Sequence, residues 1–354
     1  MNPLLDDVLS QPKALRQTLK AYRTSFPEVL REVAQGSREG TFQRVVLTGM
    51  GSSYFASVAA GNYLAVHGFP ATVVETGELL YYGVSTLQPG TLVILTSQSG
   101  ETIEAVKLLD ALQAADGVRV LGVTNNPEST LARRASLTLH LQTAKDYSVA
   151  IKTYSSTLMA LTLLAGAIVG ENSETVFAYL EQAAENMAGQ FARFERAARD
   201  IAAFLKQAPY TELIGRGASL ASALEGALLL REGAKTFGAA ITGGQVRHGA
   251  VEVIAPGYVA VIFAPRGRSG DLQRSLAQEI VRYGGRVVLL SPPDEGWTGG
   301  PEGAVLHVPV EAPDEYRAVF AEIVPLQLAA YHLALERGLT PGEFVNTVPV
   351  IVTE

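Results

Sequence analysis

The chain has 354 residues, 47% of them hydrophobic and 18% charged, with 28 Lys and Arg against 35 Asp and Glu for a formal charge of −7. An acidic balance without a run of five basic residues argues against a partner bound through a nucleic-acid backbone. The absence of cysteine excludes disulfides, thiolate nucleophiles and cysteine-ligated metals within it.

The first residues, Met1-Asn2-Pro3-Leu4-Leu5-Asp6-Asp7, lack the basic start and apolar core of a secretion signal. A helical segment is expected over residues 1–40. Val45-Val46-Leu47 then reads as a strand, Gly49-Met50-Gly51-Ser52-Ser53 as a turn, and a helix follows Ser53. Ala71 to Glu75 is a short strand, and Tyr81-Tyr82 is a surface or interface pair. After Pro89-Gly90 the apolar run Leu92 to Leu95 predicts a buried strand. It leads into Ser97-Gln98-Ser99-Gly100-Glu101-Thr102 and then a helix with Ile103, Val106, Leu108, Leu109 and Leu112 on its apolar face. Val118 to Val123 and Leu137 to Leu141 are further strands, Ser129 opens a short helix, and a long helix spans Ser155 to Val169. The stretch Leu158 to Val169 is the most apolar helix and is too short to span a bilayer. A cytoplasmic protein without a membrane segment is expected.

A helical connector from Glu171 to Leu205 carries Phe191, Phe194 and Phe204 as its buried face. The alternation then resumes. Glu212-Leu213-Ile214 leads into Gly215-Arg216-Gly217-Ala218-Ser219 and a helix, and Val259 to Phe263 into a turn through Gly270 and another helix. Arg286 to Leu290 and Val305 to Val310 are strands, and a long helix starts near Tyr316. Near-continuous apolar strands alternating with helices predict parallel sheets covered on both faces. The two GxGxS turns lie 166 positions apart, each between a strand and a helix. The fold class is therefore α/β, with two doubly wound parallel-sheet domains in tandem. Expected boundaries are 41–190 and 191–338, with a C-terminal tail over 339–354.

The turn Ser97 to Thr102 holds more hydroxyls than helix capping needs. A helix N-terminus directs free N–H groups and the positive end of its dipole outward, so this turn fits a dianion such as a phosphate monoester as well as it fits plain capping. The GxGxS turns lack the third glycine and the closely following acidic residue of a dinucleotide fingerprint, which argues against a nicotinamide cofactor. No His-x-His or His-Glu-x-x-His spacing occurs, so neither a metal nor another cofactor is expected. His67, His140, His307 and His332 lie in predicted helices or strands and are taken as structural or surface residues. Glu225 and Glu232 are seven apart on one predicted helix and share a face, where they are either solvated carboxylates or functional ones. His248 lies between glycines in a loop, Gly243 to Gly249.

Taken in order, several motifs resemble the tandem SIS (sugar isomerase) domain family. They are Gly51-Ser52-Ser53-Tyr54, Ser97-Gln98-Ser99-Gly100-Glu101-Thr102, Gly215-Arg216-Gly217, Ala223-Leu224-Glu225-Gly226-Ala227, Arg247-His248-Gly249 and Val324-Pro325-Leu326-Gln327-Leu328-Ala329-Ala330-Tyr331-His332. The chain is especially similar to the isomerase half of glutamine–fructose-6-phosphate aminotransferase and to stand-alone glucosamine-6-phosphate deaminase-like proteins. The resemblance implies flavodoxin-like SIS domains and a sugar phosphate ligand. It assigns Ser53, Ser97, Gln98, Ser99 and Thr102 to the phosphate and nearby hydroxyls, and the backbone of Val149 and Ala150 to the sugar. It gives Glu232 the C1–C2 proton shuttle, His248 ring opening, and Glu225 a further acidic place in the site. It also implies a homodimer in which His248 serves the neighbouring subunit.

Three departures from the family pattern shape the expectation. The chain has neither the length nor the cysteine of a glutaminase, residues 346–354 contain no Schiff-base lysine, and Leu229 and Gln245 replace a family lysine and glutamate. These losses favour a free open-chain sugar; the alternative is that Lys152 or Lys235, the latter three residues after Glu232, stands in for the missing lysine. The expected activity is a glutamine-independent phosphosugar isomerase or deaminase, converting glucosamine 6-phosphate to fructose 6-phosphate and ammonia. A plain aldose–ketose isomerase and a non-catalytic phosphosugar sensor are the alternatives.

Overall fold

The short apolar runs between turns, such as Leu92 to Leu95 and Val259 to Phe263, pair as parallel strands, in keeping with their lack of polar alternation. The computed structural model describes residues 2–295, 297, 300–346, 348 and 350–352. The first half runs α1 (Pro3–Thr24), α2 (Glu28–Arg38), β1 (Arg44–Gly49), α3 (Ser52–Val66), β2 (Ala71–Glu75), the short turn α4 (Thr76–Glu78), β3 (Thr91–Thr96), α5 (Ile103–Leu112), β4 (Arg119–Thr124), α6 (Thr130–Arg134), β5 (Leu137–His140) and α7 (Lys152–Ile168). The connector α8 (Ser173–Leu205) leads to β6 (Thr211–Gly215), α9 (Ser219–Ala234), β7 (Gly238–Thr242), α10 (Gly243–Arg247), β8 (Val259–Phe263), α11 (Gly270–Arg282), β9 (Arg286–Ser291), β10 (Val305–Pro309), α12 (Glu315–Ala321) and α13 (Val324–Glu336).

The chain divides into two units. The first-repeat unit comprises Lys13–Asp146, Lys152–Glu181 and Asn346–Glu354, and the second-repeat unit Met1–Pro12, Tyr147–Ile151 and Gln182–Val345. The first sheet has the order β2-β1-β3-β4-β5 and the second β10-β9-β8-β6-β7. Counted from the start of each half, both are 2-1-3-4-5, and among the described residues the strands of both sheets pair in parallel. In such a sheet ligands gather at the carboxyl ends of the strands where the order reverses. Those places are the ends of β1 and β3 in one unit and of β6 and β8 in the other.

In the first-repeat unit Val93, Leu95 and Val120 pack on Leu108, Leu109 and Leu112 of α5. In the second-repeat unit Ala260, Ile262 and Leu289 pack on Leu276, Ala277 and Ile280 of α11. Burying one Leu or Ile in either layer contributes about 1.5–3 kcal/mol.

Several expectations need correction. The helix read from Ser155 begins at Lys152, because the Asp146 carboxylate accepts from the N–H groups of Lys152 and Thr153 at 2.8 and 3.0 Å. Of the three connector phenylalanines Phe194 is fully buried, whereas Phe191 and Phe204 are half-buried. Phe204 instead lies under the Arg286 guanidinium, 3.9 Å from its ring centre. The longest apolar helical stretch is Glu315–Glu336, which is long and apolar enough to cross a membrane, with 83% of its most apolar part buried inside the protein. It is apolar all round because α13 packs as a core helix against α9. The strand β7, which the pattern of apolar residues did not reveal, is an edge strand of Gly, Ala, Ile and Thr.

Candidate functional site

In the first-repeat unit the register pairs Gly49 of β1 with Thr96 of β3, so the turns that leave these strands lie side by side. Gly49 has no room for a side chain: a Cβ there would meet the Ser53 carbonyl carbon and the Tyr54 nitrogen at 2.8 Å. That contact seats the start of α3, and with it Ser53, against the strand end. Gly51 caps α3 at φ +50, a conformation L residues rarely adopt.

The turn after β3 is held by its own hydroxyls. Ser97 Oγ lies 3.0 Å from Thr102 Oγ1 and accepts from the Gly100 N–H at 3.1 Å, and Ser99 Oγ accepts from the Glu101 N–H at 3.2 Å. It is braced from outside as well. Thr124 Oγ1 donates to the Gln98 carbonyl at 3.2 Å, the Leu131 N–H donates to the Gly100 carbonyl at 3.1 Å, and the Glu101 carboxylate takes both the N–H and the hydroxyl of Thr130. Glu101 is therefore engaged in capping α6. Gly100 sits at φ +67 against Ser129. Thr102, at the N-cap of α5, makes no capping bond with its side chain, and the Ile103 N–H donates to the Ile351 carbonyl at 3.1 Å. Ile351 thus reaches the start of the helix that follows the turn, while Thr347, Pro349, Thr353 and Glu354 of the expected tail lie outside the described residues.

The second-repeat unit holds the other expected residues. Val149 is buried and Ala150 half-buried, in a segment where the Tyr147 N–H donates to Asp7 Oδ2 at 2.6 Å. Glu225 and Glu232 both ride on α9, about 10 Å apart along its axis. Glu225 is 1% exposed, so the reading of a solvated helix-face carboxylate fails for it. Glu232 is half-buried, and burial pushes its pKa above the usual glutamate range against the pull of the Lys235 charge. Leu229, in place of a family lysine, is buried in the core.

His248 is exposed and follows α10, whose N-terminus is capped by Thr242 Oγ1 accepting from the Gln245 N–H at 3.3 Å. The stretch expected as a loop is thus a single helical turn. Gln245 is exposed on it. His67 ends α3 on the surface, whereas burial lowers the pKa of His140, His307 and His332. Among the described residues no group of three or more His, Cys, Asp or Glu is placed to hold a metal ion. Tyr81 and Tyr82 are exposed, on a π-helical turn from Leu79 to Gly83.

The second unit repeats the first turn and changes the second. Gly215 abuts the Ser219 carbonyl as Gly49 abuts Ser53, and Gly217 has φ +57. After β8 the counterpart of Gly100 is Gly267, where a Cβ would come 2.9 Å from Glu315 Oε2. The Glu315 carboxyl is buried and accepts from the Arg268 backbone N–H. Sequence reading missed Glu315, whose part depends on contacts distant in sequence.

Two tandem doubly wound units of one topology define the class, and the comparisons give its family. The SIS domain model matches residues 42–167 and again 205–337. The chain belongs to the SIS domain family. It is 31% identical over 358 residues to the isomerizing glutamine–fructose-6-phosphate aminotransferase of Pyrococcus horikoshii, and 30% over 361 residues to that of Thermococcus kodakarensis. Each alignment takes in 99% of this chain and 58% of the relative, so the chain spans little more than half their length. Among solved structures, the C-terminal domain of glucosamine-fructose-6-phosphate aminotransferase from Francisella tularensis matches with a TM-score of 0.83 and 22% identity, over 96% of this chain and 97% of that one. Glucosamine-6-phosphate deaminase from Thermotoga maritima matches with a TM-score of 0.78 and 22% identity over 99% of both chains. At that identity the likeness is one of fold.

Proposed function

We propose that the chain is a phosphosugar isomerase/deaminase that converts glucosamine 6-phosphate and water to fructose 6-phosphate and ammonia. The observation that carries this reading is Glu232, a half-buried carboxyl held above its ordinary pKa on the helix that also buries Glu225. A base that is easily reprotonated suits a proton that leaves one carbon and returns to its neighbour.

Ser53, Ser97, Gln98, Ser99 and Thr102 hold the 6-phosphate, and the backbone of Val149 and Ala150 lines the sugar. His248 opens the ring by moving a proton between O5 and the anomeric hydroxyl. Glu232 takes the proton from C2 of the open aldose and returns it to C1, while O1 gains a proton and the 2-amino nitrogen loses one. The resulting C2 imine adds water and releases ammonia. Glu225 supplies a second carboxyl to the site. No imine to a protein lysine is involved: Lys235 Nζ is directed at two backbone carbonyls, and residues 346–354 contain no lysine. The protein acts as a homodimer in which the exposed His248 serves the neighbouring subunit's site.

The test is to incubate pure protein with glucosamine 6-phosphate and to measure ammonia and fructose 6-phosphate. Equal release of both supports the proposal. Solvent-proton exchange at C1 or C2 without ammonia would replace it by a plain aldose–ketose isomerase. Tight binding of hexose phosphates without exchange or turnover would replace it by a sensor.

A further inference from the structure

Lys235 follows α9 in the left-handed conformation, with φ 52 and ψ 39. Among the described residues only Gln142 shares that region without being glycine. Glycine is the ordinary residue at the end of a helix in this conformation, and any L side chain there costs about 1–2 kcal/mol. A lysine kept at such a position implies work for its side chain. Its Nζ donates to the Glu232 carbonyl at 2.5 Å and to the Glu343 carbonyl at 2.7 Å, and lies 5.9 Å from the centre of the Phe344 ring.

We propose that Lys235 is a positioning residue that clamps the last turn of α9 to the Glu343–Phe344 segment and sets the charge beside the Glu232 carboxyl. This rests on the proton-shuttle role given to Glu232. Glu232 is caught between two influences: burial disfavours its charged form, and the Lys235 ammonium favours it.

Other charged groups on the elements packed against α9 have engagements of their own. On β6 Glu212 accepts from Tyr258, and on α12 Glu315 takes the Arg268 N–H. Between α12 and α13 Glu322 takes the Ser222 hydroxyl. On α13 Glu336 pairs with Lys206, and next to it Arg337 donates to the Lys235 carbonyl at 3.4 Å. α13 also carries Tyr331 and His332, whose rings meet edge to face at 5.3 Å; the pKa of His332 is lowered by burial first and then by Arg199, and on α12 Arg317 pairs with Asp314.

The test is a titration of the Glu232 carboxyl by carbon-13 NMR in wild type, Lys235→Met and Lys235→Arg, with Glu232→Gln to assign the signal. It is paired with the pH profile of kcat/KM for glucosamine 6-phosphate. Lys235→Met should move both the titration and the acid limb upward by about half to one pH unit, a three- to tenfold loss of activity below the limb. Lys235→Arg should restore most of it. Lys235→Gly relieves the backbone strain, so it should show the same upward shift with the fold intact by thermal melting. An unmoved Glu232 titration in folded Lys235→Met would overturn the proposal. The titration needs no turnover, so failure of the deaminase reading is seen separately, as absent ammonia from wild type.

Discussion

Gly100 is the position where the turn after β3 can be tested by one methyl group. At φ +67 an alanine costs about 1–2 kcal/mol in backbone strain alone. Its Cβ would also lie 2.1 Å from Ser129 Oγ, 2.4 Å from Ser129 Cβ and 2.9 Å from Thr124 Oγ1. Ser129 is fully buried and its hydroxyl caps α6, accepting from the Ala132 N–H at 3.2 Å. It cannot swing aside without losing that cap, worth about 1 kcal/mol. Overpacking adds about 1–3 kcal/mol, so Gly100→Ala should destabilise the protein by about 3–6 kcal/mol. Gly40 is the control, because at φ +76 it has nothing within 4 Å of an added Cβ and Gly40→Ala measures the strain alone. Urea melts of both variants give the difference. Ser129→Gly in the Gly100→Ala background should recover the steric part, since glycine is itself a tolerable N-cap. If Gly100→Ala costs no more than Gly40→Ala, or Ser129→Gly recovers nothing, contact with Ser129 does not set the turn and the argument for a rigid cradle falls.

Three further outcomes are expected. Glu232→Gln and His248→Asn should each abolish ammonia release while leaving hexose-phosphate affinity, read by calorimetry, within about threefold; in wild type kcat/KM should fall as pH drops through a value above the ordinary glutamate pKa, because Glu232 works as a base and burial raises its pKa. Glu322 is buried, accepts from Ser222 Oγ at 2.7 Å, and has its carboxyl pushed up to about 7 by burial. A carboxyl raised on folding favours the fold fully below its unfolded pKa of about 4.5, and that advantage is lost as pH rises to about 7. Glu322→Gln should therefore flatten the pH dependence of stability across that window and add on the order of 3 kcal/mol at pH 8 in denaturant melts. Ser97→Ala removes the acceptor for the Gly100 N–H and the partner of Thr102 Oγ1; it should cost about 1 kcal/mol of stability and weaken sugar-phosphate binding by about tenfold, whereas unchanged affinity would separate this turn from the phosphate.

The fold was legible because its strands are buried on both faces. Runs such as Leu92 to Leu95 and Val259 to Phe263 have no polar alternation, and the GxGxS turns recur in matching places. β7 escaped because an edge strand of small residues carries little apolar signal. The start of α7 escaped because its cap, Asp146, lies six residues before Lys152 in sequence. Candidate site residues were legible through short motifs whose glycines answer to close contacts, Gly49 against Ser53 among them. Lys235, three residues after Glu232, is near enough in sequence to read as a stand-in for a missing lysine, but its contacts to Glu343 and Phe344 span more than a hundred residues and no local pattern announces them. Burial decided what motif matching left open for Glu225, which spacing alone allowed to be a solvated carboxylate.

The two halves kept one topology, yet the turns after β3 and β8 have gone separate ways. In the second half the buried Glu315 carboxyl, its pKa raised by burial, presses on Gly267 and takes the Arg268 N–H, so that copy is already filled by a side chain of its own. Duplication of the fold is therefore not duplication of the cradle. Calorimetric titration with a sugar phosphate should saturate at one molecule per chain, and a second equivalent at the β8 turn would have to evict a buried side chain first. On the proposed reading the internal carboxyl does for one half what a sugar phosphate does for the other, and a two-domain protein binds with the stoichiometry of a single domain.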